Sequence, residues 1–314
     1  MQVVIQAVVP VATGIVQLSL KPEAKDRPIT VTPGAHIDLH LPNGLVRQYS
    51  LINSRASETL EVAVNLDPQS RGGSICVHKD LRQGDRIEIG QPRNHFPLNE
   101  TAAHSVFIAG GIGVTPIFAM VERLAELGRS WMLFHCTRTP DRTPFAVELR
   151  DLATRSQGAV IHVHDGVPGI RPLDVTAVVQ AASADTHFYC CGPKPLMTAF
   201  ESATAGLPPH RVHVEYFSND EAQHEGTEFE LICARSGLAV KIPVGHSILE
   251  TLETMGLTPL CSCREGICGT CETAVLEGTP DHRDLVLTPD ERASNTSMMI
   301  CVSRAKSRSL TLDI

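Results

Sequence analysis

The chain has 314 residues, 42% of them hydrophobic and 20% charged, with a formal charge of −8. Such proportions are ordinary for folded globular domains and exclude a collagen-like, low-complexity or largely disordered chain. The acidic balance, with no basic stripe, argues against a nucleic-acid partner, and no run approaches the ~18 uninterrupted apolar residues of a membrane span.

Residues 1–20 are apolar, but they lack a basic leading region, and Pro10 and Gly14 interrupt them. They read as strands and not as a signal peptide. Through residue 99, apolar and polar positions alternate in short runs, as in His36-Ile37-Asp38-Leu39-His40-Leu41 and Leu60-Glu61-Val62-Ala63-Val64-Asn65-Leu66. Pro-Gly and Asn-Gly turns separate the runs, so residues 1–99 are expected to form an antiparallel β-barrel domain. From 100 to 221 the rhythm changes. Continuous apolar runs at 106–109, 131–136, 160–163 and 187–190 alternate with helix-length segments at 117–127 and 145–154, which predicts an α/β domain with a parallel sheet. Residues 218–226 are polar and aperiodic and predict a linker. Residues 222–314 show a hairpin pattern around Ser236-Gly237, a helix over 247–255, a cysteine-rich loop and a closing strand at 310–314. The expectation is a multi-domain chain whose third part is α+β.

Five of the ten cysteines lie after residue 260. Such crowding suits a metal site in a reducing, cytoplasmic setting better than a secreted disulfide framework. Cys76, Cys136 and Cys233 sit in apolar runs and read as small buried hydrophobes. The spacing Cys263-x4-Cys268-x2-Cys271, followed by Cys301, is that of a plant-type [2Fe-2S] site. Gly266 and Gly269 let the backbone curl around the inorganic sulfides. Structural zinc also takes four thiolates, but usually from two Cys-x2-4-Cys knuckles, and no such pair is present. Cys261 is a rival first ligand; its spacing to Cys268 is six rather than four, which favours Cys263 and leaves Cys261 a bystander.

Ser262-Cys263-Arg264-Glu265-Gly266-Ile267-Cys268-Gly269-Thr270-Cys271, at the end of such a chain, resembles the family of phthalate dioxygenase reductase and vanillate O-demethylase reductase. The resemblance runs nearly the whole length and implies an FMN-binding barrel at 1–99, an NAD-binding domain at 100–221 and a β-grasp-like ferredoxin domain at 222–314. It implies hydride transfer from NADH to FMN and single-electron transfer through the cluster to a terminal oxygenase component, a transient protein partner of Rieske type. A reductase serving a haem monooxygenase, and a redox sensor without turnover, are the alternatives.

Arg47-Gln48-Tyr49-Ser50 resembles the RxYS signature of the ferredoxin reductase superfamily. The Arg there neutralises flavin phosphate, the aromatic covers a face of the isoalloxazine, and the hydroxyl bonds near N5. An exposed strand Arg beside a half-buried Tyr is the plain alternative. Arg71-Gly72-Gly73-Ser74 precedes an amphipathic stretch and offers backbone amides to a phosphate, or else is a simple Gly-Gly turn. Pro92-Arg93-Asn94-His95-Phe96-Pro97-Leu98 resembles the family segment that closes the flavin domain, with a structural role. Gly110-Gly111-Ile112-Gly113-Val114-Thr115-Pro116 follows a strand and opens a helix, matching the superfamily's GGxGxTP loop under the pyrophosphate, with Thr115 near the nicotinamide. Cys191-Gly192-Pro193 matches its CGP motif. By resemblance Cys191 faces the nicotinamide, Cys190 is core, and Phe217 either stacks on the flavin or is a core Phe. His95, His104, His135, His162, His164 and His213 show no ligand spacing and read as neutral structural residues.

Overall fold

The computed structural model describes residues 1–23, 29–219 and 226–314. In it the alternating N-terminal strands pair as their pattern requires. β1 (Gln2–Ala12), β2 (Ile15–Pro22), β3 (His36–His40), β4 (Val46–Ser50) and β5 (Leu60–Asn65) are followed by helix α1 (Gly73–Lys79) and β6 (Arg86–Ile89). The strands make one antiparallel sheet, ordered β4-β3-β6-β1-β2-β5. Val3 and Ile5 of β1 and Leu18 and Leu20 of β2 stand at alternate positions and are buried with Ile37, Leu39, Leu60 and Val62. The two edges of the sheet meet where Leu51 bridges Val62 and the Ile52 amide donates to the Glu61 carbonyl at 3.0 Å. The barrel is thereby closed and its edges are paired. Arg93 secures the segment after β6: its guanidinium grips Asp38 on β3 through two bonds of 2.8 and 2.9 Å, the fork geometry that makes Arg–carboxylate pairs strong.

Next come β7 (His104–Gly110), α2 (Val114–Glu126), β8 (Ser130–Thr137), α3 (Ala146–Thr154), β9 (Gly158–His164), α4 (Val175–Ala181), β10 (Thr186–Cys191), α5 (Lys194–Thr204) and β11 (Val212–Glu215). The sheet is wholly parallel, in the order β11-β10-β7-β8-β9. Helices α2 and α3 pack Ile117, Val121 and Leu149 with Phe107, Leu133 and Cys191. On the other face α4 and α5 pack Val175 and Phe200 with Ile108, Phe188 and Cys190. Adjacent Cys190 and Cys191 therefore point to opposite faces, as strand alternation dictates. The chain runs outward from β7 to β9, then adds β10 and β11 on β7's other side. That reversal opens a crevice at the carboxyl ends of β7 and β10, the position where ligands bind in open α/β sheets.

Barrel and parallel sheet share one compact unit, Met1–Phe217, and Ser218–Ile314 form a second. The expected linker and the 221/222 boundary fall largely on residues 220–225, outside the described residues. In the second unit β12 (Phe229–Cys233) and β13 (Leu238–Ile242) form the hairpin, with Gly237 at its turn. Helix α6 (Ile248–Thr254) begins with a capping box in which Ser247 and Glu250 each satisfy the other's amide. β14 (Glu272–Glu277), β15 (Pro280–Asp281), α7 (Pro289–Ser294), β16 (Ser297–Met299), β17 (Arg304–Ala305) and β18 (Ser309–Leu312) complete it. The main sheet runs β13-β12-β18-β14-β16, with β12 and β18 parallel. Ile248, Leu249 and Leu252 of α6 pack against Phe229, Leu231, Leu310 and Leu312. A helix across a mixed sheet is the α+β, β-grasp-like arrangement predicted.

Candidate functional site

Strand β4 carries Arg47, Tyr49 and Ser50, Arg71 and Gly72 form the turn into α1, and Gly73 and Ser74 open the helix. The fold brings the two segments together. A Cβ on Gly73 would lie 2.8 Å from Cγ of Arg47 and 2.9 Å from its Nε, so glycine is what lets the guanidinium lie along the start of α1. Gly72 takes φ of 96°, where glycine is unstrained, and the Asn43 side-chain amide donates to its carbonyl at 3.2 Å. The Ser74 hydroxyl accepts from the Asp67 amide at 3.1 Å, tying the turn to the loop after β5. Tyr49 is half-buried, and burial pushes its phenol up to about 12.

The glycines after β7 are there for backbone contact. A Cβ on Gly113 would meet the Cys191 carbonyl oxygen at 2.3 Å, and one on Gly110 would meet Cδ of Pro193 at 2.4 Å. A Cβ on Gly192 would lie 2.9 Å from Cα of Gly110. The glycine loop and the Cys191-Gly192-Pro193 segment thus run against each other at the mouth of the crevice. His135 on β8 holds the loop: its Nε2 lies 3.1 Å from the Gly111 carbonyl, and burial pushes its pKa down to about 4. The ring is neutral and donates from Nε2, in line with a structural histidine. Burial likewise lowers His104, His162 and His213. The buried Thr115 hydroxyl donates to the Ile112 carbonyl at 2.9 Å, so it braces the turn into α2, where Pro116 sits in the first turn.

One residue of this site escaped the sequence reading. Glu215 pairs with Cys191 across β10 and β11, and its carboxyl hydrogen-bonds with Ser50 of the barrel. Its Oε2 is buried with no hydrogen-bond partner among the described residues, and burial raises its pKa to about 8. An acid closing the short strand Val212-His213-Val214-Glu215, just before Tyr216-Phe217, was the available signal. Phe217 itself is 39% exposed, so the core alternative does not hold.

The raised pKa of Glu215 carries a stability consequence. From the ordinary carboxylate range up to about pH 8 the unfolded chain has lost this proton and the folded chain keeps it, so stability falls as pH rises and levels off above. Glu215→Gln should flatten that slope. Thermal melts between about pH 5 and 9 compare the two proteins, and parallel curves would mean that Glu215 ionises normally in the folded state.

The third group is the loop between α6 and β14, closed by Cys301 after β16. Cys263, Cys268, Cys271 and Cys301 are 7, 2, 3 and 2% exposed. Cys263 hydrogen-bonds with Cys268 and Cys301, and Cys271 with Cys261 and Cys301. Arg264, Gly266 and Gly269 take φ of 61, 67 and 72°, curling the chain so that the Glu265 amide donates to Sγ of Cys263 at 3.3 Å. Among the described residues no three His, Cys, Asp or Glu are arranged to hold a single metal ion. Four buried thiols joined in one connected set through Cys263 and Cys301, edged by inward amides, fit a cluster of two irons with two thiolates on each. Half-buried Cys261 lies against the same set of thiols, hydrogen-bonding with Cys271 and Cys301.

Comparison with known proteins agrees with this geometry. Residues 107–202 match the oxidoreductase NAD-binding domain family, and residues 231–306 the 2Fe-2S iron-sulfur cluster binding domain family. The chain is 45% identical to phenoxybenzoate dioxygenase subunit beta of Ectopseudomonas oleovorans, over 96% of this chain and 94% of that one. It is 41% identical to phthalate dioxygenase reductase of Burkholderia cepacia, over 90% and 87%. The solved structure of phthalate dioxygenase reductase, described as modular for electron transfer from pyridine nucleotides to [2Fe-2S], superposes with a TM-score of 0.72 at 37% identity, covering 100% of this chain and 98% of that one. A type IV self-sufficient cytochrome P450 monooxygenase superposes with a TM-score of 0.89 at 33% identity, this chain covering 41% of it. The chain belongs to the family of phthalate dioxygenase reductase and vanillate O-demethylase reductase, oxidoreductases with an NAD-binding and a [2Fe-2S] domain.

Proposed function

We propose that this protein takes hydride from NADH onto FMN and passes the electrons singly, through the [2Fe-2S] cluster, to a terminal oxygenase component. The observation that carries the reading is the meeting of Ser50, Cys191 and Glu215 beside the glycine loop, in a chain that also owns the four-thiol loop. Bound flavin supplies the conversion, accepting two electrons as hydride and releasing them one at a time. The side chains position it. Arg47 and the turn at Arg71, Gly72, Gly73 and Ser74 hold the flavin phosphate, Tyr49 covers the ring, and Ser50 bonds near N5. Glu215, neutral at pH 7 because of its burial, shares a hydrogen bond with the Ser50 hydroxyl and fixes its direction. Gly110, Gly111 and Gly113 admit the pyrophosphate, Thr115 and Pro116 shape the helix start, and Cys191, Gly192 and Pro193 border the nicotinamide. Exposed Phe217 is the aromatic that the nicotinamide displaces.

The acceptor is a Rieske-type aromatic oxygenase or O-demethylase, met transiently in the cytoplasm. The relatives carry dioxygenase, demethylase and monooxygenase-system names, and the driving force is suitable: Rieske centres lie at about −150 to +300 mV against about −400 mV for plant-type ferredoxins. Among the described residues no helix is long and apolar enough to cross a membrane. The P450 likeness favours a second reading, a haem monooxygenase as acceptor. Steady-state assays decide. The protein should reduce ferricyanide with NADH at a kcat/KM above that for NADPH, and should drive product formation by a Rieske oxygenase component. A tenfold preference for NADPH would contradict the nucleotide assignment and point to exposed Arg138 and Arg142 after β8. Turnover with a haem monooxygenase alone would select the second reading, and no ferricyanide reduction would leave a sensor.

A further inference from the structure

Asp284, between β15 and α7, has a fully buried side chain. Its Oδ2 accepts the amides of Val286 at 3.1 Å and Leu287 at 2.9 Å. Its Oδ1 accepts the Ser303 hydroxyl at 3.4 Å, just beyond Cys301. The same residue backs the other cysteine segment: a Cβ on Gly266 would lie 3.0 Å from Cα of Asp284, and the adjoining Leu285 amide donates to the Gly266 carbonyl at 2.8 Å. Nδ1 of His282 and Nη2 of Arg292 each stand 3.9 Å from the carboxylate, and Arg292 also donates to the Asp284 backbone carbonyl. Asp284 therefore touches the loop that holds Cys263, Cys268 and Cys271 as well as the turn that holds Cys301.

A simple turn does not call for a buried acid. Burying a carboxylate is costly unless hydrogen bonds and countercharge offset it, and here both are assembled around one side chain. We propose that Asp284 is a positioning residue that fixes the two cysteine-bearing segments against each other and lowers the reduction potential of the cluster they hold. The proposal rests on the reading of those four thiols as [2Fe-2S] ligands. Its direction follows from Coulomb's law: a negative charge held in a poorly solvated surrounding opposes the arrival of an electron nearby.

Two variants of the full chain separate charge from position. Asp284→Asn keeps the shape, and its Oδ1 can still accept the Val286 and Leu287 amides. Iron, acid-labile sulfide and the electron paramagnetic resonance line shape should match wild type, while the potentiometric midpoint rises. A tenfold shift of the one-electron equilibrium, about 59 mV, is the expected size. Asp284→Ala removes the clasp as well, and its cluster content should fall or its line shape change. An Asn variant that titrates with wild type at full cluster content would overturn the proposal, whatever the Ala variant does. Wild-type protein without iron and sulfide would instead overturn the ligand reading beneath it.

Discussion

Cys268→Ala is expected to abolish the visible absorption of the cluster while the flavin stays bound and NADH still reduces ferricyanide. Cys268 is 2% exposed and hydrogen-bonds with Cys263, so its loss strips one iron of half its thiolates. The residues proposed to hold flavin and nicotinamide lie in the other compact unit, Met1–Phe217, and ferricyanide accepts electrons from flavin directly. Cys261 hydrogen-bonds with Cys271 and Cys301, whereas the thiol partner of Cys268 is Cys263, so Cys261 is not placed to stand in for Cys268. Absorption spectra and iron analysis read the result. Retention of full cluster absorption would show that Cys268 is not a ligand.

Gly113→Ala should lower kcat/KM for NADH by about a hundredfold, the scale on which an ångström of misplacement acts. The added Cβ would stand 2.3 Å from the carbonyl oxygen of Cys191 and 2.6 Å from its carbonyl carbon, so backbone must move. Gly113 has φ of −60°, which any residue adopts, and the effect is therefore contact alone. The contact lies where the glycine loop meets the Cys191 segment, the place proposed for the nicotinamide. Flavin and cluster spectra should be unaltered, and a kcat/KM close to wild type would show that the loop does not set the nicotinamide position.

Much of this was legible in the sequence, because the signals are short-range. Period-two alternation marks β1 to β5, whose inner residues face one core, and continuous apolar runs mark β7 and β10, buried on both faces, as well as β8 and the edge strand β9. The cysteine spacing marks the cluster loop, since three ligands come from one turn. Helix α7 escaped the hydrophobic pattern because none of its residues is buried; only its Thr288 and Glu291 capping box and Pro289 announce it. Glu215 and Asp284 escaped for a different reason. Each draws its meaning from a partner distant in the chain, Ser50 for one and Gly266 and Ser303 for the other, and single acids carry no spacing that reveals such partners. The same holds for His135, whose role depends on the Gly111 carbonyl one strand away.

Whether electrons leave through the cluster is decided by coupling the purified protein to a Rieske oxygenase component with NADH as sole reductant. The intact chain should form oxygenated product as NADH is consumed, and the Cys268→Ala protein, still turning over ferricyanide, should form none. Product formation by the variant at the rate of the intact chain would place the cluster off the electron path and contradict the account.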